Sequence, residues 1–265
     1  MDRRPIVFID SGIGSIPYAI FFHSRNNHEK LILVADRANF PYGPKSKETL
    51  IELILSLAER LIAQYDPKIL TVACNTASVS ALEALRQAFP ALPVVGTVPA
   101  IKPAVLASRK RCIGVLGTQL TVEDPYIADL AAHFGPDCKI IREAAPSLVE
   151  FVEQRWFKAN GEERLNAVEP WVEKFLEQGA DSLVLACTHF LLLRNEFIRA
   201  SGENLDIFHS LEGVVRRIES LLDEGGLRAP LGEETNNPVL VITGDEKSYW
   251  DEICPYFDIN RGKDL

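Results

Sequence analysis

The 265-residue sequence predicts an α/β fold of two similar units, each built on a mainly parallel central sheet. Short apolar runs rich in β-branched residues alternate with amphipathic segments, which is the pattern of repeated βαβ units. Two of these runs end in similar sequences, TVACNTA (71–77) and VLACTHF (184–190), which indicates an internal duplication. Ligands of such folds bind beyond the carboxyl ends of the strands, so we expect the active site in a cleft between the two units.

The elements of each unit follow from the apolar pattern. The strongest helical pattern runs over 47–64, where apolar residues recur at i, i+3 and i+4. The polar stretch 223–238, which contains Gly and Pro, predicts a surface connection before one last strand and helix. Six buried strands are predicted, at 6–9, 31–35, 69–73, 113–116, 183–186 and 239–242.

The chain is expected to cross between the two units twice. The stretch 91–103, which contains three prolines, provides the first crossing, and the second lies near 205–210. The predicted units are 1–97 plus 208–265, which carries Asp10, Tyr42 and Cys74, and 98–207, which carries Cys187 and His189.

Composition and charge exclude several classes of function. The sequence is 47% hydrophobic and 25% charged, which is typical of soluble globular proteins. Its formal net charge of −9 disfavours binding to polyanions, so we expect no nucleic-acid partner and no membrane partner. The first apolar run is too short for a signal peptide, and no run reaches about 18 apolar residues. We therefore expect a cytoplasmic protein with reduced thiols.

Five cysteines are scattered along the chain without a close pair. Cys112, Cys138 and Cys254 have no polar cluster around them and are interpreted as packing residues. Cys74 and Cys187 each follow a predicted strand and precede polar residues, where a helix start would favour the thiolate.

Acid–base partners are available to both of these thiols. Asp10 directly follows the first predicted strand and would assist Cys74, while His189 lies two residues beyond Cys187. Zinc bound by Cys74, Cys187 and His189, or a redox pair of the two thiols, is an alternative, although the short-range ligand pairs of a structural zinc site are missing. A dinucleotide loop is excluded by Pro17, and we expect neither a metal nor a cofactor.

Six further segments follow one another along the chain: FIDSGIGS (8–15), ADRANFPYGPKS (35–46), ACNTAS (73–78), GTVPAIKPA (96–104), GVLGT (114–118) and ACTHF (186–190). Together and in this order they resemble the glutamate racemases, a branch of the aspartate/glutamate racemase family. The resemblance implies an isomerase that interconverts L- and D-glutamate without a cofactor and supplies D-glutamate for peptidoglycan, and hence for cell wall biogenesis and cell shape. It also implies a possible homodimer.

The resemblance further implies residue roles. Cys74 and Cys187 would remove and deliver the α-proton on opposite faces of the substrate, with Asp10 and His189 as their assistants. The implied substrate-binding residues are Asp10, Ser11, Tyr42, Gly43, Asn75, Thr76, Thr188 and His189, with Thr118, Thr121 and Glu153 as second-rank candidates.

Three positions depart from the family pattern, and two other functions remain open. Leu191 stands where Pro is usual, His209 where Asp is usual, and Ala145 where Cys is usual. The first alternative function is an aspartate or broad-specificity amino-acid racemase. The second is a catalytically silent relative that acts as a binding protein, for example on a nucleic-acid enzyme.

Overall fold

A computed structural model of the chain describes residues 1–231, 237–244 and 247–265, without the side chains of residues 247 and 248. These residues form two compact units, one of 1–97 with 211–265 and the other of 98–210. Each unit has its own sheet, and all strand pairs in both sheets are parallel. The predicted α/β class with two parallel-sheet units is therefore confirmed.

The strands are numbered in chain order. They are β1 (Ile6–Asp10), β2 (Leu31–Ala35), β3 (Ile69–Val72), β4 (Val94–Gly96), β5 (Cys112–Gly117), β6 (Lys139–Ala144), β7 (Ser182–Ala186), β8 (Asp206–Phe208), β9 (Val239–Ile242) and β10 (Asn260–Arg261). The six strands predicted from apolar runs are all present. The four unpredicted strands, β4, β6, β8 and β10, are short or partly exposed, so they lack a continuous buried run.

The helices are numbered in the same way. They are α1 (Ile16–His23), α2 (Lys47–Tyr65), α3 (Asn75–Ala88), α4 (Ile101–Ala107), α5 (Gln119–Glu123), α6 (Pro125–Phe134), α7 (Pro146–Gln154), α8 (Gly161–Glu177), α9 (Arg194–Ser201), α10 (Leu211–Glu224) and α11 (Lys247–Tyr256). None of the helices in the described part of the chain is long and apolar enough to cross a membrane.

Helix α2 shows how the sequence pattern becomes an amphipathic helix. The Ser46 side chain caps its start by accepting a hydrogen bond from the Thr49 amide at 3.2 Å. Leu50, Ile54 and Leu61 lie on its buried face. The last helical residue is Tyr65, and the C-cap residue Asp66 has a left-handed backbone with a φ of 43°. The helix predicted over 47–64 is thus confirmed.

The surface connection predicted at 223–238 overlaps the end of α10. Its first two residues still belong to α10, and residues 232–236 lie outside the described residues. The last predicted strand and helix are β9 and α11, and Cys254 lies in α11.

The two sheets share one strand order. The first four strands lie in the order β2-β1-β3-β4 within the six-stranded sheet, and the second sheet is β6-β5-β7-β8. In both sheets the second strand in sequence pairs with one edge of the first strand, and the third strand pairs with its other edge. This produces a topological switch point between β1 and β3 and another between β5 and β7, where α/β folds place their ligands. The shared order supports the internal duplication.

A buried ion pair lies near the amino-terminal ends of β2 and β3 in the first unit. The Lys68 ammonium donates to Glu29 Oε2 at 2.5 Å, and both side chains are at most 1% exposed. It also donates to the carbonyls of Asp2 at 2.8 Å and Leu227 at 2.7 Å. The other Glu29 oxygen accepts from the Ala229 amide at 3.0 Å. This pair joins the chain's first residues, β3 and the segment after α10.

Candidate active site

The carboxyl edge of the first sheet brings Asp10 and Cys74 onto neighbouring strands. Asp10 is the last residue of β1, and Cys74 follows β3 by two residues. The strands stay paired to this point, because the Ala73 amide donates to the Ile9 carbonyl at 2.8 Å. Asp10 Oδ1 accepts from the Gly12 amide at 2.7 Å, which holds the carboxylate at this edge. Both side chains are buried.

Cys74 occupies the N-cap position of α3. Its backbone is still extended, with φ −145° and ψ 120°, and the helix begins at the next residue, Asn75. The first amides of a helix lack partners within the helix, and the helix dipole adds a partial positive charge there. A thiolate at this position is therefore stabilised by its backbone surroundings.

Asn75, the first residue of α3, has an unusual environment. Its side chain is 2% exposed, and neither its amide oxygen nor its amide nitrogen has a hydrogen-bond partner among the described residues. A buried polar group without a partner costs about 1–3 kcal/mol. This arrangement suits a side chain that completes its hydrogen bonds with a bound molecule.

A buried network around Asp36 was not anticipated from the sequence. The Tyr42 hydroxyl donates to Asp36 Oδ2 at 2.7 Å, and the Thr243 hydroxyl donates to Asp36 Oδ1 at 2.6 Å. The Thr243 hydroxyl also accepts from the Ala38 amide at 3.0 Å. Asp36 directly follows β2 and Thr243 directly follows β9, so the strand-end rule that selected Cys74 could have selected both.

This network defines how Tyr42 can act. Burial, and secondarily the Asp36 carboxylate, raise the pKa of the Tyr42 phenol well above its ordinary value. The phenol therefore stays protonated and directs its hydroxyl to Asp36. Its side chain anchors the loop that contains Gly43 instead of offering this hydroxyl to a ligand.

Two further predicted residues complete the cluster in the first unit. Ser11 follows Asp10 and is 4% exposed, and Thr76 is the second residue of α3 and is 2% exposed. The first unit therefore places Asp10, Ser11, Cys74, Asn75 and Thr76 at the ends of two adjacent strands.

The second unit places Cys187 directly after β7, at the switch point of its sheet. Cys187 is the N-cap of the 3-10 helix Thr188–Leu193, which continues into α9. Its Sγ lies 3.8 Å from His189 Nδ1. Cys187, Thr188 and His189 are all buried.

Glu153 completes a chain of three polar side chains in this unit. Its Oε1 lies 2.5 Å from His189 Nε2, and both side chains are less than 5% exposed. Glu153 lies on α7, and the Trp156 indole beyond that helix donates to the Leu192 carbonyl at 2.9 Å. This hydrogen bond holds the segment after α7 against the 3-10 helix that carries His189.

The chain from Glu153 through His189 to Cys187 can move a proton. With Nε2–H directed to Glu153, His189 Nδ1 is placed to accept the thiol proton or to return it. The carboxylate stabilises the imidazolium that forms when the thiol is ionised. Glu153 can thus influence the thiol through the histidine.

Thr118 and Thr121 form a local structure at the end of β5. Thr118 is the N-cap of α5, and its hydroxyl lies 3.0 Å from that of Thr121 and 3.4 Å from the Thr121 amide. Thr121 is fully buried. Capping α5 accounts for the position of the Thr118 side chain, which lies at the switch point beside β7.

Burial is the largest influence on the three other cysteines. Burial raises the pKa of the Cys112, Cys138 and Cys254 thiols above the ordinary value, so they stay protonated at neutral pH. Among the described residues, no group of three or more His, Cys, Asp or Glu side chains has the arrangement of a metal site.

We expect Glu153→Gln to lower kcat about ten- to hundredfold while leaving KM nearly unchanged. A hydrogen bond with a charged partner is worth about 1.5–3 kcal/mol, which corresponds to this range. Steady-state kinetics measures the effect. Glu143→Gln is the matched control, since Glu143 belongs to the same unit but pairs with Lys174 at the surface. Equal kinetics for the two variants would contradict the role of Glu153.

The fold and these two clusters define an α/β enzyme in which each of two parallel-sheet units carries a buried thiol with acid–base neighbours. Residues 23–210 match the Asp/Glu/Hydantoin racemase family. The chain is 44% identical to a glutamate racemase of Treponema pallidum over 246 residues, which are 92% of this chain and 89% of the relative. It is 39% identical to a glutamate racemase of Sphingopyxis alaskensis over 221 residues, covering 83% and 82% of the two chains.

A solved structure is similar over nearly the whole chain. The crystal structure of Escherichia coli glutamate racemase in complex with L-glutamate and the activator UDP-MurNAc-Ala has a TM-score of 0.86 and 28% identity, covering 99% of this chain and 98% of the other. The chain belongs to the Asp/Glu/hydantoin racemase family, and it is a racemase, an enzyme of the isomerase class. The resemblance to glutamate racemases found in the sequence is confirmed.

Proposed function

We propose that this enzyme interconverts L- and D-glutamate by proton transfer at the α-carbon, with Cys74 and Cys187 as the two acid–base groups. The proposal is carried by the placement of one buried thiol directly beyond an interior strand in each unit, together with the two glutamate racemases that are 44% and 39% identical to this chain. In each direction one cysteine acts as a thiolate and removes the α-proton. The other acts as a thiol and delivers a proton to the opposite face.

Each thiol uses the groups beside it for this task. The start of α3 and the Asp10 carboxylate serve Cys74, since the amides favour the thiolate and the carboxylate can exchange a proton. His189, held by Glu153, exchanges a proton with Cys187. When the reaction reverses, the two thiols exchange roles, so each needs its own proton partner.

The α-proton of an amino acid is far less acidic than a thiol, so the site must stabilise the developing negative charge. Preorganised donors and exclusion of water supply this stabilisation. Asn75 suits the task because both of its amide atoms are buried and lack partners among the described residues. We assign Asn75, Ser11, Thr76, Thr188 and the backbone of Tyr42 and Gly43 to the substrate's carboxylates and ammonium. In a chain of net charge −9, such local donors replace bulk positive charge.

The proposed cellular role is the supply of D-glutamate for peptidoglycan in the cytoplasm. Many of the chain's relatives are glutamate racemases, and the five cysteines are scattered without a close pair, which suits a cytoplasmic protein. No cofactor is assigned to the reaction, because two thiols and their partners can complete the proton transfer.

Racemisation in deuterated water tests the reaction. We expect each pure enantiomer of glutamate to yield the opposite enantiomer with deuterium at Cα, while the remaining substrate stays protiated early in the reaction. Proton NMR with chiral analysis measures both. Inversion without deuterium at Cα, or no inversion, would exclude the proposed chemistry. A parallel experiment with aspartate distinguishes a glutamate enzyme from an aspartate or broad-specificity racemase.

A further inference from the structure

We infer that Ser78 and Thr97 are positioning residues for the Cys74 thiol. The inference rests on the proposed function, in which Cys74 exchanges the α-proton. Ser78 lies in the first turns of α3, and Thr97 directly follows β4. Both side chains are buried, at 6% and 1% exposure.

Ser78 makes hydrogen bonds on both sides of the turn that carries Cys74. Its hydroxyl donates to the Val72 carbonyl at 3.0 Å, where β3 ends. Its backbone amide donates to the Cys74 carbonyl at 2.9 Å, where α3 begins. One residue therefore connects the end of the strand and the start of the helix, with Ala73 and Cys74 between these two bonds. The orientation of Cys74 depends on this connection.

Thr97 fixes the Ser78 hydroxyl from the neighbouring strand. The Thr97 amide donates to Ser78 Oγ at 2.9 Å, and the two hydroxyl oxygens are 3.1 Å apart. Ser78 has one hydroxyl proton, and Val72 receives it. With the Ser78 proton directed to Val72, the Thr97 hydroxyl donates to Ser78, whose oxygen then accepts two hydrogen bonds and donates one.

The space around this hydroxyl is restricted as well. A Cβ added at Gly96 would lie 3.1 Å from Ser78 Oγ and 2.7 Å from Leu82 Cδ2. Glycine at position 96 therefore lets β4 approach α3 closely enough for Thr97 to reach Ser78. The turn that carries Cys74 therefore packs against buried polar groups that are hydrogen-bonded to one another.

Ser80 provides a matched control on the same helix. It is also a buried serine, at 7% exposure, but its hydroxyl donates to the Thr76 carbonyl at 2.8 Å within α3. Ser80→Ala removes a helix-internal hydrogen bond and leaves the strand-to-helix connection intact. A general loss of packing or hydroxyl groups in α3 would affect both serines alike.

The experiment compares Ser78→Ala, Ser78→Thr, Thr97→Val and Ser80→Ala in the full chain. We expect Ser78→Ala to lower kcat about ten- to hundredfold with little change in KM, because small displacements of a reacting group have effects of this size. Thr97→Val should have a smaller effect in the same direction and serves as the test if Ser78→Ala does not fold. Ser78→Thr, which keeps the hydroxyl, should restore part of the rate, and Ser80→Ala should match the unaltered enzyme.

Isotope effects identify which thiol is affected. Because the equilibrium constant of racemisation is one, kcat/KM must be equal in both directions and cannot distinguish the cysteines. With α-deuterated L- and D-glutamate, Ser78→Ala should raise the primary isotope effect only in the direction in which Cys74 removes the proton. An equal change in both directions, or kinetics identical to those of Ser80→Ala, would overturn the inference.

Alkylation by iodoacetamide, followed by peptide mass spectrometry, gives a readout that needs no turnover. The rate at Cys74 relative to Cys187 should change in Ser78→Ala and Thr97→Val but not in Ser80→Ala. If the unaltered enzyme fails to racemise glutamate, the proposed function is wrong, and this ratio still decides the role of Ser78. An unchanged ratio would overturn that role independently.

Discussion

Cys74→Ala and Cys187→Ala are each expected to abolish racemisation, with kcat lower by at least about 10²- to 10⁴-fold, the usual contribution of a positioned acid–base group. Each thiol has a different environment, a helix start beside Asp10 for Cys74 and the histidine–glutamate chain for Cys187. Neither can replace the other, because a proton must be removed from one face of the α-carbon and delivered to the opposite face.

The single variants should also differ from each other in deuterated water. In the proposed reaction the remaining thiolate can still remove the proton of one enantiomer. The thiol so formed exchanges this proton for deuterium from the solvent and returns the deuterium to the same face. We therefore expect slow exchange without inversion, confined to one enantiomer in Cys74→Ala and to the other in Cys187→Ala. Proton NMR on each pure enantiomer measures this exchange.

Two other buried cysteines are matched controls for these variants. Cys254→Ala removes a thiol from the first unit and Cys112→Ala removes one from the second, and both should racemise glutamate at nearly the unaltered rate. Full turnover in Cys74→Ala or Cys187→Ala would remove that thiol from the mechanism.

Lys68→Met should have the largest effect on stability, a loss of about 3–5 kcal/mol in the free energy of unfolding. The Lys68 ammonium has three partners, the Glu29 carboxylate and the carbonyls of Asp2 and Leu227. Removing it leaves the Glu29 charge buried and without its cation, and that desolvated charge is the main cost.

Urea denaturation followed by circular dichroism measures this loss. The control is Lys174→Met, because the Lys174 ion pair with Glu143 is 47% and 22% exposed and a surface pair is worth at most about 1 kcal/mol. The double variant Lys68→Met with Glu29→Leu should recover part of the stability, since no charge is then left buried. Equal midpoints for Lys68→Met and Lys174→Met would contradict the assigned role of the buried pair.

The sequence predicted the central strands because their signal is local. A strand buried on both faces, such as β1 or β7, appears as a continuous apolar run. The strands that were missed lack this signal. β6 has a single buried residue, Ile141, and β4, β8 and β10 have only two or three residues each, so their existence depends on pairing with a distant neighbour.

Some features of the candidate site were likewise predicted from the sequence, and others were not. Polar residues directly beyond apolar runs identified Asp10, Cys74, Cys187 and His189, and the family resemblance added the implied substrate contacts. The sequence did not reveal that Thr243 bonds to Asp36 across 207 residues, or that Glu153 holds His189 across 36. It also did not reveal that the Tyr42 hydroxyl is directed to Asp36.

Residue pattern alone was sufficient for the α/β class and for the position of Cys74 and Cys187 beyond the ends of buried strands. These features depend on burial periodicity and on chemistry between close neighbours in the chain, which a linear sequence records. The tertiary structure decided the strand order, the switch points, the partners of Asp36, Lys68 and His189, and the connection from Ser78 to Thr97. Those contacts depend on which distant segments pair in the sheet, and that choice is made by packing the whole unit.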